Sequence, residues 1–141
     1  MAIPALYNTI ATAFRDASTN AELRNATFWS ARLLVGDYFK QPQFNTSEAG
    51  PLQLAISVPN QAAIPAEETC IFVAKESTTG FSRAVLLAVN ADSDMTGVFD
   101  AVQPRLAERI LAEAGGPAFG IMMVRSKIVF VNPNGQRMGP M

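Results

Sequence analysis

The 141-residue chain contains no histidine. That excludes Ser-His-Asp and Cys-His triads, imidazole metal ligands and the commonest proton shuttle near neutral pH. It has a single cysteine, Cys70, so an intrachain disulfide and a cysteine-cluster metal site are both impossible. Charge is scarce as well: 16% of residues are ionised and the net charge is −1, against about 25% charged residues in ordinary soluble domains. The near-zero net charge gives no electrostatic reason to expect nucleic acid or an anionic membrane as a partner. The low charged fraction predicts that part of the surface is covered by another copy or another protein, so a homo-oligomer is expected. No apolar run approaches the ~20 residues of a membrane-spanning helix. The opening "MAIPALYNTIATAFRDASTN" has neither a basic start nor a long apolar centre, so no signal peptide and a cytoplasmic location are expected. Neither standard glycine-rich phosphate loop is present, and no cofactor is expected.

What remains is 49% hydrophobic, enough for one domain with a sizeable core. Pro4 suits a first helical turn, and Leu6, Ile10, Ala13 and Phe14 follow at helical spacing. Thr19 with Glu22 fits a capping box, and Gly36 fits a stop after Val35. These signals predict helices within residues 4–35, as a pair or as one broken near Ser18. Residues 37–51, with two prolines and a glycine, read as a loop. Leu52, Leu54, Ile56 and Val58 alternate and predict a strand at 52–58. Strands at 69–76 and 81–90, separated by "STTG", predict an antiparallel hairpin. A helix over 93–114 follows, started by Asp92, Ser93 and Asp94, ended by Gly115 and Gly116, and kinked or restarted at Pro104. Leu106, Ile110 and Ala114 form the buried stripe of its second half. Two nearly continuous apolar runs, "GIMMV" and "KIVFV", predict a closing hairpin over 118–131 that leaves through an "NPNG" turn. The order predicts a single α+β domain: a mostly antiparallel sheet of about five strands with helices on one face.

Chemical candidates are few. Asp92 and Asp94 can hold a hard cation, but the downstream glutamate of a calcium loop is missing, so helix capping is expected. Ser126 and Lys127 are neighbours on a strand-like segment and point to opposite faces, so a hairpin turn is expected there instead of a serine–lysine pair. Cys70 is expected to be an unreactive small apolar residue. The candidate partner-binding residues are Trp29, Tyr38, Phe39 and Phe44, an aromatic cluster that suits either a groove or the core, together with Met122 of the methionine-bearing strand.

Two blocks carry a resemblance. "AFRDASTNAELRNATFWSARLL" and "RLAERILAEAGGPAFGIMMV…VFVNPNG" resemble the opening helices and the later helix, strand and turn of the SseB amino-terminal-domain family. That resemblance implies a non-catalytic interaction module linked to a bacterial secretion or interaction system, with no catalytic residue to carry over. The acidic pI of about 5.4 and the element order are also similar to class I type III secretion chaperones, which implies a dimer that binds an extended protein segment. A virion or other assembly subunit is the third expectation.

Overall fold

A computed structural model of the chain describes residues 3–113, 115, 118–133 and 136–138. Ala114, Gly116, Asn134 and Gly135, named above, lie outside the described residues. Two helices open the chain, α1 (Ile3–Arg15) and α2 (Asn20–Tyr38). The break between them is fixed by the expected capping box: Glu22 N donates to Thr19 Oγ1 at 3.1 Å, and Thr19 N donates to Glu22 Oε1 at 3.0 Å. Gly36 does not end α2, which runs two residues further. A glycine stops a helix where the chain turns left-handed, and at Gly36 the backbone stays helical.

Five strands form one sheet in the order β1 (Phe44–Gly50), β2 (Thr69–Glu76), β3 (Ser82–Val89), β4 (Phe119–Val124) and β5 (Lys127–Val131). All neighbours are antiparallel except β3 and β4, which are parallel because α3 (Val98–Ala112) crosses between them. This is an α+β domain with a five-stranded, mostly antiparallel sheet. The hairpins at 69–89 and 119–131 fall where the sequence predicts them.

Several expectations are corrected. The strand predicted at 52–58 is not in the sheet: its ladder contact is an isolated bridge, Ile56 to Ile64. Residues 51–65 fold back as a strap whose Leu52, Ile56, Val58 and Ile64 plug the core while Leu54 is 72% exposed. Arg105 pins the strap by donating to the carbonyls of Leu54 and Ala55 at 3.0 and 2.9 Å. The place beside β2 is taken by β1, from the segment that reads as a loop. Next, α3 begins at Val98 and not at residue 93, and Asp92 caps a turn by accepting Asp94 N at 2.9 Å. Pro104 lies inside α3 without a restart. Its ring is on the exposed side, where water can satisfy the Asp100 carbonyl that loses its helical donor.

Finally, helices cover both faces of the sheet and not one. On one face α1 and α2 bury Leu6, Ile10, Ala31 and Leu34 against Phe72, Leu86, Ile121 and Met123. On the other, α3 and the strap bury Val102, Leu106, Ile56 and Ile64 against Val73, Val85, Leu87 and Met122. The closing hairpin obeys the same parity: Ile128 and Phe130 pack toward the first cluster, Val129 and Val131 toward the second. Gly120 is what lets α3 lie close on β4. A Cβ there would stand 2.8 Å from Leu106 Cδ2 and 2.9 Å from Ile110 Cδ1.

Candidate interaction surface

The five candidate partner-binding residues do not form one cluster. Met122 is 0% exposed in the core beneath α3, so it cannot meet a partner; strand parity turned it inward. Phe39 and Phe44 meet edge to face, with ring centroids 5.2 Å apart, and close the path from α2 into β1. Tyr38 leans on Phe130 at 5.8 Å and its hydroxyl lies 3.1 Å from that of Tyr7. Partial burial, together with Tyr7, pushes the Tyr38 phenol up to about 12. These three contacts are structural. Trp29 differs: 45% exposed, it stands on α2 beside Arg32, Leu33, Gly36 and Asp37.

Arg32 joins that shallow depression to a groove of about 260 Å³ between α2 and β1, walled by Val35, Phe72, Thr46 and Glu48. The guanidinium lies over the Phe72 ring, 5.9 Å from its centroid, and Arg32 Nη2 donates to Glu48 Oε2 at 3.1 Å. Cys70 Sγ donates to the other carboxylate oxygen at 3.2 Å. The thiol and Arg32 hold Glu48 below the ordinary carboxylate range, against the opposing effect of burial. Burial, and after it the Glu48 carboxylate, pushes the Cys70 thiol up to about 12. Such a thiol carries almost no thiolate near neutrality and is a poor nucleophile.

The two sheet edges differ. Along β5 the chain returns: Val131 bridges Arg137, Met138 N donates to the Phe130 carbonyl at 2.8 Å, and Asn132 N donates to the Gln136 carbonyl at 2.8 Å. Arg137 fastens this return to α3 through Asp100 and Gln103, each at 2.6 Å. The outer edge of β1 has no such cover among the described residues. Residues 45–49 are exposed on both faces of the sheet. No periodicity in "FNTSEAG" marks it as a strand, and sequence reasoning missed it for that reason.

Two polar clusters lie elsewhere. At the far end of β3, the largely buried Glu68 accepts Arg24 Nη1 at 3.1 Å and Asn20 Nδ2 at 3.4 Å, and is joined by Asn90 Nδ2. Asn90 Oδ1 accepts Arg125 Nε at 2.9 Å. Every member has a partner, and the network ties the start of α2 to the ends of β3 and β4. Asp94 accepts Lys127 Nζ at 3.2 Å on the surface. Ser126 follows Arg125, whose φ is +50°, in the two-residue β4–β5 turn. Among the described residues no three Cys, Asp or Glu side chains converge as a metal cage would require, and no helix is long and apolar enough to cross a membrane.

Comparison of the chain with protein-family models, with curated proteins and with solved structures finds no match.

Proposed function

We propose that the chain is a non-catalytic protein-interaction module that receives an extended polypeptide segment as an added strand along β1. The observation that carries this reading is the contrast between the two edges, β5 fastened under the chain's own return and β1 open beside the Arg32 groove. An uncovered edge is a row of unpaired N–H and C=O groups, and strand addition supplies main-chain affinity while neighbouring grooves read alternate side chains. The side chains that face α2 from β1 are Phe44, Thr46 and Glu48, since Glu48 and Thr46 pair with Phe72 and Ala74 of the α2-side core. An added strand would present its own alternate residues to Thr46, to Glu48 and to the Arg32 guanidinium paired with it. Inertness of the one thiol and the lack of histidine fit a role without turnover.

A secretion chaperone that takes an extended segment is the second reading, favoured by the observed order of helices, three strands, helix, two strands. The test places a photo-crosslinking amino acid at Ser47 in cells, with Leu111, 86% exposed on α3, as control. Polypeptide adducts at position 47 and not at 111 support strand addition. Equal or absent labelling at 47 overturns it.

A further inference from the structure

We propose, resting on the edge-strand reading above, that the strand added to β1 is β1 of a second copy of this chain, related by a two-fold axis at Thr46. Regular pairing of β1 runs from Phe44 to Glu48, and the ladder shifts between Glu48 and Gly50. A two-fold axis normal to the sheet forces antiparallel pairing and makes the interface isologous. The longest overlap of Phe44–Glu48 with itself is therefore centred on Thr46.

That register is chemically self-consistent. Thr46 faces Thr46 of the second copy, Asn45 faces its Ser47, and Phe44 faces its Glu48. Hydroxyl and amide pairs of this kind suit directly opposed strand positions, whereas like charges placed opposite each other are unfavourable. Glu48 is the one ionisable side chain in β1, and centring on Thr46 keeps the two copies of it apart. Centring on Glu48 would set them against each other. Phe44 of the second copy then arrives on the α2 side, at the mouth of the groove where Arg32 already lies over Phe72. The product is a continuous ten-stranded sheet whose open edges have paired with one another, leaving only the two β5 edges, each under its own chain's return.

Sedimentation of the purified full chain tests this, using wild type, Thr46→Lys, Thr46→Glu and an equimolar mixture of the two variants. Thr46 is exposed, so both variants should keep the wild-type circular dichroism and melting profile. Wild type should sediment at twice 15.1 kDa at micromolar concentration. Each variant alone should weaken association at least about tenfold, because the axis sets two like charges face to face. The mixture should dimerise again, because the introduced lysine and glutamate side chains meet only if position 46 faces itself across the axis. A wild type that stays monomeric, a variant that still dimerises or a mixture that stays apart overturns the proposal. Adducts to a different protein from Ser47 in cells, with a monomeric wild type, would reject the second copy yet keep the interaction module. No adducts at all would reject both.

Discussion

Adding one methyl group at Gly120 probes how the α3 layer is seated. The residue is buried in β4, and its φ lies outside the range that strains an alanine. The obstacle is contact: the new Cβ would sit 2.8 and 2.9 Å from the methyl groups of Leu106 and Ile110, where carbon atoms prefer about 3.5–4.0 Å. Leu106 is 1% exposed and Ile110 8%, so their methyl groups must give way inside the packed layer and not into solvent. Overpacking of this kind costs about 1–3 kcal/mol. The loss of chain freedom in the unfolded state returns about 0.4–1 kcal/mol. Gly120→Ala should therefore destabilise by about 1–2 kcal/mol, read as a lower urea midpoint at unchanged slope. Leu106→Ala should cost about 2–5 kcal/mol by opening a cavity. The double variant decides the cause, because the added methyl then occupies part of that cavity. Its loss should fall short of the sum of the two single losses by about 1 kcal/mol. Strict additivity, or a neutral Gly120→Ala, would refute the claim that close helix approach is what requires glycine.

Three further outcomes follow from the same geometry. Asn90→Ala should cost about 1–3 kcal/mol by leaving buried partners in the Glu68 network unsatisfied, and a melting temperature equal to wild type would mean that water replaces the amide. Cys70 should resist a thiol reagent at neutral pH until denaturant is added, since burial and Glu48 hold the thiol at about 12; rapid labelling of the native protein would contradict this. Burial raises the Glu113 carboxyl, but Ser82 and Arg109 outweigh it and the net shift is downward. A depressed folded-state pKa adds stability above the unfolded carboxylate range and loses it as pH falls through the folded value. Ser82→Ala should accordingly flatten the acid side of the stability profile, and an unchanged profile would show that the 2.5 Å Ser82–Glu113 hydrogen bond is not coupled to folding.

The elements legible in the sequence are those that bury themselves. In β2, β3 and β4 nearly every residue is buried, so hydrophobicity alone betrays them, and the capping box marks the start of α2 through purely local chemistry. Errors arose where a local signal had two solutions. Leu52, Ile56 and Val58 are buried as their alternation predicts, yet a plug beneath the sheet satisfies them as well as a strand would. Pro51 and Pro59 flank the segment, and Asn60 turns it back with a φ of +61°. The low charged fraction also had two solutions. A sheet covered on both faces by the chain's own helices and strap needs few charges, so the 16% is explained internally and does not itself argue for a partner.

The edge proposed above to take a strand is the one that the sequence hides. β1 has no apolar face, and its strand state is imposed by pairing with β2 along one side only. Natural edges are usually blunted by lysine, proline or a covering segment. β5 follows that rule, with Lys127 at its start and the Arg137 return across it. Between Phe44 and Glu48 β1 has none of these, and its single charge is neutralised by Arg32. A bulge after Glu48, itself a device that blunts an edge, limits the regular edge to five residues. Local sequence rules tend to fail at functional or strained sites. The failure at residues 44–50 therefore points to the same edge as the geometry does, and the Thr46 charge-swap measures whether a second copy fills it.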